Sequence, residues 1–332
     1  MRKIKIAHIG CNLYSHAKQI FSSLVDQSDL FEVVGYTLPE DERETAGKRT
    51  EVFEGYREMT LEEILNDPTI EAVTVETEEL RLTKYAQMAL EHGKHVHMEK
   101  PGGIDLAAFE QLIATAKARG TVLHIGYMYR YNPIVMDVME QIKRGELGEI
   151  LSVEAQMNCH HPAPLREFLS RYPGGMMFYL GCHLVDLILQ MQGKPEEIIA
   201  LNAATGVENV RSEDFGMAVF RYKNGVSFAK TVAAEYGGYL RRQLVVTGTL
   251  GTVELKPLEY GTEREMYTDI TTYREHSWRD PGIKRTSEVF NRYDAMMASF
   301  AAMVRGEKQN PYTPDYELTL YRTLLQCCGV KI

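Results

Sequence analysis

Residues 93–103 read Gly-Lys-His-Val-His-Met-Glu-Lys-Pro-Gly-Gly. A helical run ends at Gly93, a short strand covers His95 to Met98, and a charged pair, Glu99 and Lys100, stands directly before a proline and two glycines. In an open α/β sheet the carboxyl end of a strand faces the crevice where ligands bind, which puts this pair at a ligand site. Pro101 keeps Lys100 out of helical backbone, and the Lys100-Pro101 bond is one of the few that adopts cis at modest cost, an arrangement that aims the ammonium inward. An isolated Lys-Pro is more often a solvated loop; the neighbouring pattern is what gives this one its meaning.

Outward from that stretch, strands and helices alternate. Ile4 to Ile9, Phe31 to Gly35, Ile70 to Val75 and Thr121 to Gly126 read as strands, and Leu13 to Val25, Leu61 to Leu65, Leu82 to Leu90 and Ile104 to Ala118 as helices. Such alternation implies a parallel sheet covered on both faces, a doubly wound Rossmann domain over residues 1–124. Its first turn should carry GxGxxG, whose glycines admit a dinucleotide pyrophosphate to a helix N-terminus. The window here is Gly10-Cys11-Asn12-Leu13-Tyr14-Ser15, in which Asn12 is expected to take the left-handed conformation of the second glycine and Ser15 to allow close packing. Thr37 ends the second strand where an acidic residue would bind a ribose hydroxyl, so NAD and NADP both stay open.

Composition bounds the partners. The chain has 332 residues, 44% hydrophobic and 25% charged, enough for two domains. With 37 basic against 46 acidic residues and a net charge of -9, nucleic acid and anionic membrane are poor partners, and a small molecule is the better one. The opening residues alternate charged and apolar side chains, which reads as a strand and not a signal peptide. Cys11, Cys159, Cys182, Cys327 and Cys328 are sparse and lack metal-type spacing, the pattern of reduced thiols in a cytoplasmic protein.

Past residue 124 the pattern changes to a second α/β domain, residues 125–332. Asn132-Pro133 starts a helix from Ile134 to Arg144, a strand runs from Glu149 to Met157, and residues 198–255 hold strand-like runs separated by turns such as Lys223-Asn224-Gly225. These predict a large open, mostly antiparallel sheet, whose second face a partner subunit would cover; a homo-oligomer, dimer or tetramer, is expected. Tyr293 to Val304 and Glu317 to Cys327 are helical again. Within this domain residues 173–190, read as a helix, set Tyr179, His183, Asp186 and Gln190 in one polar stripe among apolar neighbours. A buried carboxylate and imidazole must find partners, either as a structural pair or in a ligand cleft.

GKHVHMEKP at 93–101, RYNP at 130–133 and the Gly174-Gly175 pair followed by Gly181-Cys182-His183 with Asp186 make the chain similar to the Gfo/Idh/MocA family of glucose-fructose oxidoreductase and inositol dehydrogenase. The resemblance runs the whole length. It implies hydride transfer between NAD or NADP and a sugar or cyclitol, with the family's catalytic lysine at Lys100 and its active-site histidine at His183. Tyr179 stands where Asp is usual, Glu78 replaces the proline of a Thr-Pro pair, and Leu82 stands in place of a histidine. Gly10, Asn12, Leu13, Thr37, Thr77 and Glu99 are the expected cofactor contacts.

The chemistry needs a base for the hydroxyl proton as hydride leaves, a role for Lys100, with Tyr179 or His183 sharing the proton and Asp186 orienting the imidazole. His160, Asn132, Arg166, Tyr236 and Asp186 are candidate hydrogen-bonding partners of a polyol. Two other classes compete: a non-catalytic sensor of a sugar or nucleotide on the same fold, and a metal enzyme using His160, His161, His183 and Asp186. No metal is expected in the leading reading.

Overall fold

The computed structural model describes residues 2–262 and 264–332. They form two compact units: residues up to Met128 with Tyr293–Tyr321, and Tyr129–Arg292 with Arg322–Ile332.

The first unit runs β1 (Ile4–Ile9), α1 (Ala17–Asp26), β2 (Phe31–Thr37), α2 (Glu42–Thr45), α3 (Leu61–Asn66), β3 (Ala72–Val75), α4 (Leu82–Glu91), β4 (His95–Met98), α5 (Leu106–Arg119) and β5 (Leu123–Ile125). Its strands pair in parallel in the order β2-β1-β3-β4-β5. All four residues of β3 are buried, as expected of a strand sealed on both faces. Local chemistry sets the helix ends. Thr60 and Glu63 form a reciprocal capping box at α3, Asp105 caps α5, and Gly120 closes α5 in the left-handed conformation at φ +64°. The doubly wound parallel fold expected from the alternating pattern is the one found. The first helix starts four residues later than its periodicity predicts, at Ala17, because residues 13–16 belong to the loop after β1.

The second unit contains α6 (Pro133–Lys143), β6 (Ile150–Gln156), α7 (Ala163–Phe168), α8 (Cys182–Gln192), β7 (Glu197–Ala200), β8 (Phe215–Tyr222), β9 (Gly225–Val232), β10 (Gln243–Gly248), β11 (Gly251–Leu255), β12 (Tyr260–Thr262), β13 (Glu265–Tyr267), β14 (Asp269–Tyr273) and β15 (Ile283–Thr286). Eight of these strands form one sheet in the order β15-β14-β11-β10-β6-β9-β8-β7, antiparallel except where β6 meets β9. Burial alternates along β6 and β9, with Val153, Ala155, Ser227 and Ala229 buried between half-buried Ser152, Glu154, Phe228 and Lys230. The helices α9 (Asp294–Val304) and α10 (Pro314–Cys327) complete the chain. Among the described residues no helix is long and apolar enough to cross a membrane.

Candidate functional site

In the first unit the strand order reverses at β1, so the ligand crevice lies outside the carboxyl ends of β1 and β3. Gly10 follows β1 there, donating its N–H to the Thr37 carbonyl at 2.9 Å, while the Glu76 N–H after β3 reaches the Ile9 carbonyl at 2.8 Å. Gly10 sits at φ +96°, and a Cβ on it would lie 2.5 Å from Thr77 Cγ2, so only glycine fits. Asn12 does not adopt the left-handed conformation expected of it: the described non-glycine residues at positive φ are Glu40, Glu208 and Asn209. Its side chain makes a local turn instead, Oδ1 accepting the Tyr14 N–H at 2.8 Å, a bond that an αL glycine cannot supply. Asn12, Thr37 and Thr77 are buried and Leu13 is 48% exposed.

Sequence reasoning missed Glu42 in this crevice. Its carboxylate, 1% exposed, accepts the N–H of Cys11 and that of Glu78, each at 2.9 Å, tying the ends of β1 and β3 together. Burial pushes this carboxyl up to about 7 against the pull of those two bonds. The signal in the sequence was only one acid among several after β2.

Glu99 and Lys100 leave the end of β4 into the interior, at 3% and 2% exposure, and the Lys100–Pro101 peptide is cis. The Lys100 N–H donates to Glu99 Oε1 at 2.9 Å, and Glu99 Oε2 meets His16 Nδ1 at 2.5 Å. Burial alone would raise the Glu99 carboxyl, but His16, followed by Lys100, holds it well below the usual carboxylate range. Glu76, fully buried, goes the other way: burial and then the Glu99 charge lift it well above that range. Nothing in the sequence marks Glu76, which lies between Val75 at the end of β3 and Thr77 in the loop.

In the second unit the helix expected over residues 173–190 begins later. Gly174 and Gly175 are left-handed at φ +65° and +48°, Met177–Gly181 forms a π-helical turn, and α8 follows. A π turn shifts the phase of Tyr179 against the residues after it, and such turns are frequent at functional sites. Asp186 is held by Arg130, whose Nε and Nη2 each donate at 2.9 Å, and Gln190 donates to the same carboxylate at 2.8 Å. His183, 1% exposed, packs edge-on against Tyr129 with ring centroids 5.4 Å apart, and the Tyr129 hydroxyl donates to Glu259. Tyr179 is 8% exposed and lies 6.4 Å from the His161 ring.

The remaining candidates divide. Asn132 caps α6 through Oδ1, accepting from Ile134 and Val135, while its Nδ2 is buried with no protein partner. Asn158, absent from the sequence-derived candidates, is fully buried with both amide atoms unbonded, and His161 Nε2 is in the same state. Arg166 spends its guanidinium on Asp214, Glu208 and the carbonyls of His161 and Val207. His160 is exposed and lies tilted at 38° against the ring of Tyr236, itself 85% exposed, with centroids 4.7 Å apart. Among the described residues no three His, Cys, Asp or Glu side chains converge as metal ligands do.

Residues 4–127 match the model described as "Oxidoreductase family, NAD-binding Rossmann fold", and residues 135–254 match that of the "GFO/IDH/MocA C-terminal domain". The chain belongs to the Gfo/Idh/MocA family. The uncharacterized oxidoreductase YhhX of Escherichia coli is 34% identical over 139 residues, 42% of this chain and 40% of that protein. The scyllo-inositol 2-dehydrogenase (NADP(+)) IolW of Bacillus subtilis is 28% identical over 54% of this chain and 48% of its own length. These two relatives are thus matched over less than half their length, whereas trans-1,2-dihydrobenzene-1,2-diol dehydrogenase of Bos taurus, 26% identical, is matched over 78%, and over 80% of this chain. The fold is shared with KijD10, a 3-ketoreductase from Actinomadura kijaniata solved with NADP and TDP-benzene, at TM-score 0.80, 18% identity and coverage of 97% and 96%.

Proposed function

We propose that this protein transfers a hydride between NAD or NADP and a hydroxyl or carbonyl carbon of a sugar or cyclitol. The observation that carries the reading is Lys100, a buried amine at the carboxyl end of β4 in an NAD-binding Rossmann fold. In oxidation the substrate hydroxyl gives its proton to Lys100 Nζ as hydride leaves the same carbon; in reduction Nζ returns it. Lys100 also stabilises the alkoxide character that develops between the two events. The dinucleotide supplies the hydride acceptor or donor.

Gly10, Asn12, Leu13, Thr37, Thr77 and Glu99 are the residues proposed to hold the dinucleotide, consistent with their place at the ends of the parallel strands. From the second unit, Tyr179 and His183 are proposed to share the proton. The unbonded atoms of Asn132, Asn158 and His161 offer donors and acceptors that a polyol would satisfy, and buried polar atoms without partners are otherwise costly. Among the relatives, one is named for scyllo-inositol and another for trans-1,2-dihydrobenzene-1,2-diol, which favours a ring carbon with an adjacent hydroxyl. The half-buried face of the large sheet, with Ser152, Glu154, Phe228 and Lys230, supports a homo-oligomer.

Hydride transfer is followed at the nicotinamide absorbance with a panel of cyclitols, aldoses and ketoses. Lys100→Met keeps the stem and removes the charge, so turnover should fall by about 10² or more with folding intact. Wild-type turnover in that variant ends the reading.

A further inference from the structure

Several of the amides between β1 and α1 are already in use. The Cys11 N–H goes to the Glu42 carboxylate at 2.9 Å, that of Asn12 to Ser15 Oγ at 3.1 Å, that of Tyr14 to Asn12 Oδ1 at 2.8 Å and that of His16 to the Glu99 carboxylate at 3.3 Å. In a glycine-rich Rossmann loop, amides at these places face the pyrophosphate of a dinucleotide. Here Glu42, 1% exposed, stands among them as an anion of the protein's own, and a pyrophosphate takes the Cys11 N–H only by displacing it. The crevice therefore needs another source of positive charge.

Arg49 is placed to supply it. It lies on the 3₁₀ turn Gly47–Phe53 after β2, and its Nη2 donates to the Ser15 carbonyl at 2.6 Å, which lays the guanidinium on the loop after β1, beside the buried Cys11 thiol. Its Nε is buried and has no hydrogen-bond partner. Every other arginine between β2 and α4 is paired: Arg43 with Glu58, Arg57 with Glu63, and Arg81 with Glu40, Asp41 and Glu78. Among the described residues Arg49 meets no carboxylate. The turn that carries it is fixed in advance. Ala46 and Phe53, at its two ends, pack with Cys11, Ala17 and Phe21 in one core cluster, so the arginine and the loop it touches rest on the same buried residues. A clamp on one carbonyl needs one N–H, whereas a guanidinium has a planar fork of donors that fits two phosphate oxygens at once. A buried donor left without an acceptor is costly, and an anion arriving at Nε removes that cost.

We propose that Arg49 binds the pyrophosphate of the dinucleotide, giving through its side chain the charge that the loop after β1 has spent within the protein. This rests on the NAD or NADP reading above. Gly10 and Asn12 then shape the wall of the crevice, and the anion's partner comes from the turn after β2. The 2′-phosphate that distinguishes NADP is a different anion. Its ribose belongs at the tip of β2, where Thr37 touches the loop at Gly10, whereas Arg49 holds the other end of the loop at Ser15. Arg49 is expected to serve NAD and NADP alike.

Equilibrium titration of the intact protein with NAD, NADP, ADP and adenosine tests this with no turnover involved. Arg49→Met should weaken NAD, NADP and ADP by about tenfold or more, the loss of one charge-assisted contact, and leave adenosine unchanged. Arg49→Lys, which keeps the charge without the fork, should fall between wild type and Arg49→Met. Equal ADP affinity in wild type and Arg49→Met overturns the proposal. So does a loss confined to NADP, which assigns Arg49 to the 2′-phosphate, or an equal loss for adenosine, which assigns it to holding the loop. Should Arg49→Met fail to fold, Arg49→Lys against wild type decides, and it must weaken ADP and spare adenosine. Dinucleotide binding that depends on Arg49, with no hydride transfer to any substrate, overturns the oxidoreductase reading and leaves the anion site standing; a wild type that binds neither NAD, NADP nor ADP overturns both.

Discussion

Arg130 and Asp186 meet in a two-pronged ion pair, Nε to Oδ2 and Nη2 to Oδ1, each 2.9 Å, with both side chains 1% exposed. The pair joins the Arg130-Tyr131-Asn132-Pro133 segment to the middle of α8, the helix that carries His183. Removing one partner of a buried ion pair costs about 3–5 kcal/mol. Asp186→Leu should therefore lower the unfolding free energy from urea titration by that order, and Arg130→Met similarly. The double variant Arg130→Met/Asp186→Leu should lose much less than the sum of the two. Additive losses in the double variant count against a direct pair.

Gly10 and Thr77 form the second dependency. The left-handed backbone at Gly10 costs a non-glycine residue about 1–2 kcal/mol before any clash. Gly10→Ala should be less stable by at least that much, since its Cβ meets Thr77 Cγ2 at 2.5 Å. Thr77→Ser deletes that methyl but leaves the residue's backbone N and Cα at 2.6 and 2.8 Å from the new Cβ, so combining it with Gly10→Ala should recover only a small part of the loss. Gly10→Val should also weaken NAD and NADP binding in calorimetric titration while sugar binding changes much less. Equal dinucleotide affinity for wild type and Gly10→Val would place the cofactor elsewhere.

How far the sequence could be read follows from where interactions are local. β1 and β4 were legible to the residue, because a short apolar strand bounded by glycine or by Glu99-Lys100-Pro101 has few alternatives. The start of α1 was not, since Leu13 to His16 continue the apolar spacing although Asn12 and Ser15 bond back into a turn. The polar stripe of α8 was visible as spacing, but its phase at Tyr179 was not, because a π turn leaves no mark in a 3.6-residue period. Arg130, Glu42, Glu76 and Asn158 reach their places through contacts between distant residues or by burial, and no window of sequence displays those.

Buried neutral histidines give the fold an acid limit. Burial lowers His8 to about 3 and His97 to about 4, from an ordinary 6.5. The unfolded chain takes up those protons below pH 6.5 and the native state does not, so this stability is complete above 6.5 and lost as pH falls toward 4. Each histidine contributes a slope of up to about 1.4 kcal/mol per pH unit in that window. Glu76 and Glu42, both raised, act in the opposite sense, so the comparison must be between variant and wild type. Urea titrations across the window should show a shallower acid loss for His97→Gln and for His8→Gln. A slope unchanged in both variants would mean these rings are protonated in the native state.

Tyr179 and His183 separate catalysis from ligand binding alone. Both are buried, at 8% and 1% exposure, so a hydroxyl or ring nitrogen lost there is not replaced by bulk water. If Tyr179 only binds, Tyr179→Phe removes one hydrogen bond and should weaken affinity by about 1 kcal/mol and do nothing more. If its hydroxyl passes a proton, turnover should fall far more than affinity, and the pH profile of kcat/KM should lose a limb. His183→Asn extends the comparison, because asparagine keeps donors and acceptors but exchanges no proton near neutral pH. Isothermal titration of sugar and steady-state hydride transfer, run on the same preparations, give the two numbers for each variant. The oxidoreductase reading expects the loss in kcat with Kd nearly unchanged; a loss confined to Kd, equal in size for both variants, assigns this helix to ligand binding only.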